Sequence, residues 1–257
     1  MPTTAPAADV AAVDLARECL YRFLAAALAD PLADDSGLLT DAAGSRLVAD
    51  AADLLREEGH ASPTPLGFGE LPADDLDLAP ALAQATRPRA ERTAEYDCVF
   101  GLVPSRECPP YETEYHTTAE PFFRAQQLAD VAGFYRAFGL EPARGRGERP
   151  DHIALELEFM AFLLAKKRLA VDADQVVVCA EAEAAFFRDH VAWWAPSFAT
   201  GLRRKAAGAL YAAVGQVLAA LLPVERGRFG IPPPRVPLRA TLIEPPEQQA
   251  GCAGCTS

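Results

Sequence analysis

Glu112, Glu114 and His116 alternate along a proline-flanked stretch of this 257-residue chain. In an extended segment, side chains two apart share a face. Two carboxylates and an imidazole on one face could bind a divalent metal or exchange protons with a substrate. The neighbouring spacing suggests no fourth ligand, and the paired-histidine helix of metal hydrolases is absent. A metal-dependent hydrolase using these three residues is therefore the enzyme alternative, not the leading reading. Cys252 and Cys255 form a second capable pair. A Cys-x-x-Cys pair can chelate a metal or cycle as a dithiol. Two thiolates cannot complete a structural zinc site, and the chain holds no partner pair. Metal handling, a bridge between two chains and a plain tail all stay open for it. No phosphate-binding loop or dinucleotide fingerprint occurs, and Gly145-Arg-Gly147 is too short to be one. No cofactor is expected.

Asp151 and His152 follow Pro150 at the start of a strongly apolar run. Proline presets a helical φ, and a carboxylate favours the positive end of the helix dipole. Asp151 could serve only that end, and His152 could bond only to backbone. Further upstream, Pro109 and Pro110 stiffen a segment carrying Tyr111 and Glu112.

Helices must position these groups. Val13, Leu20, Phe23, Leu24 and Leu28 recur at helical spacing over 9–29, and Asp30-Pro31 ends that run. Further helices are predicted over 41–58, 89–100 and 121–138. The run 151–170 carries Ile153, Leu157, Met160 and Leu164, widened by Leu155, Phe159, Phe162 and Leu163, so it belongs at the centre of a bundle. Helices over 174–194 and 200–222 complete the set, with Pro223 closing the last and Trp193 and Trp194 packing at a helix end. Prolines and glycines mark 62–80 as a linker or long surface loop, and 227–257 as a mobile tail. The expected fold is all-α, one multi-helix domain spanning 1–257.

Half of the residues are hydrophobic (50%), so a sizeable core is affordable. The net charge of −12 repels a phosphate backbone and suits a cationic peptide. No apolar run is long enough to span a bilayer. The N-terminal stretch lacks a basic region and carries Asp9 and Asp14, so a cytoplasmic location is expected.

Two segments depart from ordinary helix packing: Tyr96-Asp-Cys-Val-Phe-Gly101 with Cys108-Pro-Pro-Tyr-Glu-Thr-Glu-Tyr115, and Glu148-Arg-Pro-Asp-His152 running into Ile-Ala-Leu-Glu-Leu-Glu-Phe-Met160. Together they resemble the TorD/DmsD/NarJ family of redox-enzyme maturation chaperones. The likeness continues through Phe186-Phe-Arg-Asp-His190, Trp193-Trp194-Ala-Pro196 and the surroundings of Tyr211. It implies an all-helical TorD-like bundle that binds without turnover. The implied partner is the molybdopterin-containing catalytic subunit of a redox enzyme, held through its N-terminal twin-arginine leader until its cofactor is inserted. A NarJ-like factor for a non-exported nitrate reductase is the alternative within the family. Carried over by position, the signal-peptide site comprises Tyr96, Val99, Phe100, Pro110, Tyr111, Pro150, Asp151 and His152. Val99 stands where leucine is usual, and Tyr111 where many members have tryptophan. Two adjacent guanidinium groups followed by an apolar stretch need carboxylates beside a groove. Glu112, Glu114, Glu148 and Asp151 could supply the charge, and Tyr96, Phe100, Tyr111 and Tyr115 the groove. The chain is expected as a monomer, or as a helix-swapped dimer hinged at 62–80.

Overall fold

The computed structural model describes residues 7–32, 41–101, 108–116, 120–141, 148–205 and 209–239. Within them the chain is helical, without a strand: α1 (Ala7–Leu28), α2 (Ala42–Ala61), α3 (Ala79–Ala85), α4 (Arg89–Val99), α5 (Pro121–Ala137), α6 (Ile153–Arg168), α7 (Ala173–Phe186), α8 (Ala195–Lys205) and α9 (Leu210–Arg228). Helix α6 packs on α1 and α7, α2 on α1, and α8 and α3 on α9. Ile153, Leu157, Met160 and Leu164 of α6 are all but inaccessible, as its unbroken apolar sequence demands. Ion pairs tie the ends of this core. Arg17 of α1 is buried between Glu225 of α9 and Glu183 of α7, at 2.5 Å from each, and Tyr21 also donates to Glu225. No helix among the described residues is long and apolar enough to cross a membrane.

Three expectations are corrected. The first concerns 62–80, which is not a free surface loop. Leu76 and Leu78 are buried, and the stretch contains a 3-10 turn (Ala73–Asp75) and the start of α3. Glu70 is locked by Arg226, whose guanidinium also reaches the Pro65 carbonyl. Gly69 sits at φ +80°, and a Cβ there would lie 2.3 Å from the Pro196 carbonyl oxygen, so only glycine fits this contact.

The second concerns the last helices. The run 174–194 divides into α7 and a π-helical turn, Phe187–Val191. Helix α8 starts at Ala195 rather than at 200, with Pro196 in its first turn, where a missing N–H costs nothing. Pro223 does not close α9, which continues to Arg228. Proline inside a helix normally leaves the carbonyl four residues earlier without its donor, at a cost of about 3 kcal/mol. Here the Leu71 N–H donates to that carbonyl, Ala219 O, at 3.0 Å. The connector and the proline are thus one device.

The third concerns the tail. Helix α9 ends where Gly230 adopts φ +64° and the Ile231 N–H returns to Arg226 O. As far as 239, the last described residue, the chain then stays docked. Pro234 O accepts from the Phe68 N–H, and the Leu238 N–H donates to Ser197 Oγ. Cys252, Cys255 and the Gly145–Gly147 turn lie outside the described residues.

Candidate functional site

The two unusual segments meet. Tyr111 and His152 form an antiparallel bridge, in which the Ile153 N–H donates to Pro110 O (2.8 Å) and the Glu112 N–H to Asp151 O (3.0 Å). Proline at 110 presents an acceptor without a competing donor, and His152 is the N-cap of α6. Its Nδ1 accepts from the Ala154 N–H at 3.2 Å, which leaves the proton on Nε2. Burial pushes the His152 pKa below the ordinary histidine value, so the ring is neutral.

Most of the expected site is interior. Val99, Phe100, Pro110, Glu112, Asp151 and His152 are buried, while Tyr96, Tyr111 and Pro150 are partly exposed. Phe100 packs edge-on to Tyr211 (5.1 Å) and stacks on Phe198, and Tyr96 leans on Phe100 (4.9 Å). These rings belong to the core, with Tyr96 at its edge.

The carboxylates are already engaged. Asp151 accepts from the Thr113 N–H (3.1 Å) and hydroxyl (2.8 Å), and from Arg149 Nε (3.0 Å) and Nη2 (2.8 Å). Glu114 pairs with Arg124 (3.0 Å) and Arg149 (3.1 Å). Glu112 accepts from Trp193 Nε1 (2.9 Å) and Gln127 (2.8 Å) and faces His190 Nδ1 (3.1 Å). An open acidic cleft lined by Asp151, Glu112 and Glu114 is therefore not what the fold presents. The alternation of Glu112, Glu114 and His116 also fails to align them, because 112–115 winds into a 3-10 turn. His116 packs instead between Phe123 and Trp193, each 4.9 Å away. No metal-binding cluster of histidines, cysteines and carboxylates occurs among the described residues.

At the surface stands a smaller constellation. Tyr111 donates its hydroxyl to Glu148 at 2.9 Å, and the Arg149 guanidinium lies 4.3 Å over the Tyr111 ring. Partial burial, and then the bond to Glu148, raise the Tyr111 pKa, so the phenol stays protonated. Burial, and then the Glu148 charge, raise the Tyr96 pKa as well. The rim thus comprises two tyrosines, one exposed carboxylate and one guanidinium. Residues 70–200 match the family described as Nitrate reductase delta subunit. The chain belongs to that family. The matched region contains every residue of the signal-peptide site expected from the sequence. Among relatives of this nitrate reductase delta subunit family member is the selenate reductase assembly chaperone protein of Thauera selenatis, 32% identical over 110 residues, which are 42% of this chain and 56% of that one. Another is the chlorate reductase assembly chaperone protein of Ideonella dechloratans, 32% identical over 107 residues (41% and 54%). The chaperone protein TorD of Vibrio cholerae is 28% identical over 98 residues (38% and 43%). The chain spans about half the length of the curated relatives it matches.

Sequence reasoning missed three partners of this family member's site. His190, fully buried, faces Glu112 and has its Nε2 3.5 Å from Asp130. Trp193 bonds Glu112 rather than merely packing, and Arg149 organises the whole loop. Glu156 is also fully buried, and accepts from Trp194 Nε1 at 3.2 Å. Burial, with Glu112 and Asp151 nearby, lifts its pKa well above the carboxylate range, so it is protonated. Polar residues recurring beside aromatics, as in Arg188-Asp-His190 before Trp193-Trp194, were the available signal.

Proposed function

We propose that this chain is a cytoplasmic assembly chaperone for a molybdenum-cofactor-containing oxidoreductase subunit, binding that subunit's twin-arginine leader and holding it for cofactor insertion before export. It acts by binding, without turnover. Relatives named as assembly chaperones of selenate and chlorate reductases support the client class. The carrying observation is the rim at Tyr111, where the exposed Glu148 carboxylate accepts from the phenol and a guanidinium lies over the ring, with the partly exposed Tyr96 within reach of the same charge. A guanidinium can bond the carboxylate and lie on a ring face at once. Calorimetry with the client's leader peptide tests this. Glu148→Gln and Tyr111→Ala should each lower affinity roughly tenfold, a loss of about 1.4 kcal/mol, with the fold retained. Unchanged affinity in both variants counts against the rim.

The family's description favours a second reading, assembly of a nitrate reductase that is not exported. Co-purification with the genomically adjacent redox subunit, with and without its leader, separates the two. Capture that persists without the leader supports the second.

A further inference from the structure

We infer that the loop of Asp151, Glu114, Thr113 and Tyr111 is a binding cradle for an arginine side chain, and that Arg149 fills it in the free chain as an internal stand-in. The inference rests on the leader-binding reading for the identity of the natural ligand, and on geometry for the site itself. The Arg149 guanidinium meets Asp151 through a two-pronged contact, Nε to Oδ1 at 3.0 Å and Nη2 to Oδ2 at 2.8 Å. Its Nη1 donates to Glu114 at 3.1 Å, its Nη2 also reaches the Thr113 hydroxyl, and its plane lies over the Tyr111 ring. A paired fork, a second carboxylate and an aromatic face together recognise a guanidinium and reject an ammonium of equal charge. The acceptors are deep: Asp151 and Thr113 have no exposed surface, and Glu114 has 5%. The Arg149 side chain remains 35% exposed. An arginine arriving from solvent therefore reaches the cradle along the path Arg149 itself occupies.

The surroundings permit the exchange. Glu114 keeps Arg124 at 3.0 Å when Arg149 leaves, so only Asp151 loses its cation. Glu148, exposed on the same loop and bonded to Tyr111, can take the second of two adjacent arginines. Free and bound states then differ in whose guanidinium sits on Asp151. Self-occupancy lowers apparent affinity by the fraction of molecules whose cradle is open.

The test uses the full chain and its Arg149→Ala and Arg149→Lys variants, with two probes: ethylguanidinium ion, and a synthetic peptide of two adjacent arginines followed by leucines and alanines. Ethylguanidinium at millimolar concentration should raise the melting temperature of Arg149→Ala, ethylammonium should do so far less, and wild type should respond to neither. The peptide should bind Arg149→Ala at least roughly tenfold tighter than wild type. Arg149→Lys, which keeps the charge but not the fork, guards against loss of folding and should show a smaller gain. If ethylguanidinium shifts neither variant more than wild type, the cradle is overturned. If it stabilises Arg149→Ala while no protein binds the peptide, the cradle stands and the leader reading falls. If wild type binds the peptide and Arg149→Ala binds it no tighter, the leader reading stands and the stand-in role is overturned.

Discussion

Replacing Asp151 with alanine separates a scaffold from an open receptor. In the structure its carboxylate is buried and accepts four hydrogen bonds, two from Thr113 and two from Arg149. Bonds to a charged group contribute about 1.5–3 kcal/mol each when taken singly, but they share one carboxylate and do not add. Removing one partner of a buried ion pair costs about 3–5 kcal/mol, chiefly because the other charge is stranded. Arg149 retains 35% exposure, so water recovers part of its charge. The buried Thr113 N–H has no such relief. The lower end of the range applies, about 3 kcal/mol. For a chain of this size that corresponds to a fall of roughly 6–12 °C in Tm. Asp151→Asn keeps an acceptor for Thr113 and should fall between alanine and wild type. Urea and thermal melts followed by circular dichroism provide the measurement. An alanine variant that melts within about 2 °C of wild type and still loses the leader peptide would refute the reasoning. Asp151 would then be an accessible receptor whose internal partners contribute nothing.

Two further carboxylates give pH signatures of opposite sign. Glu156 is raised by burial and by its acidic neighbours, so the folded state holds a proton that the unfolded state releases above about pH 4.3. Its contribution is present below that pH and declines by about 1.4 kcal/mol per unit as pH rises toward the folded value. Glu156→Gln should therefore be more stable than wild type at neutral pH, with an advantage that vanishes near pH 4.3, as pH-dependent urea melts can check. For Glu225 burial opposes the charge, but Arg17 and its hydrogen bonds hold the carboxyl below the usual range. Its contribution is present above about pH 4.3 and lost as acid protonates the folded state. Glu225→Gln should cost about 3 kcal/mol at neutral pH, with the gap to wild type closing as pH falls below about 4.3.

Where the rules are local, the sequence was legible. Pro121 in the first turn of α5 and Gly139 just past its end bound that helix, and the all-round apolar pattern of α6 marked the centre of the bundle. Pro223 was misread because its remedy is remote: the Leu71 N–H that satisfies Ala219 comes from another segment. The same distance hid the packing of 62–80, whose Glu70 acquires meaning only beside Arg226. Within the site, residue types at 96–115 and 148–152 announced something unusual and did converge. Composition could not assign partners. Arg149 lies two residues from Asp151, yet their pairing needs Thr113 and Glu114 brought in by the bridge.

That pairing changes what the chain's acidity means for a partner. A net charge of −12 suggests a surface that draws in cations. Yet Glu112, Glu114, Asp151, Glu183 and Glu225 are buried, and most of their charge is spent on internal arginines, a lysine and a histidine. A peptide arriving near Tyr96 senses Glu148, Asp97 and Asp30, the charges that act on that tyrosine. Such exposed charges are screened over about 8 Å at physiological ionic strength. Asp97 and Asp30 can guide the approach of a cation but contribute little binding once it arrives, whereas Glu148 is backed by the Tyr111 hydroxyl. Tight, arginine-selective capture needs acceptors held away from water, and near this rim those lie on Asp151, Glu114 and Thr113 under Arg149. On the proposed reading, surface charge governs encounter, and the Tyr111–Glu148 rim together with exchange at Arg149 governs retention.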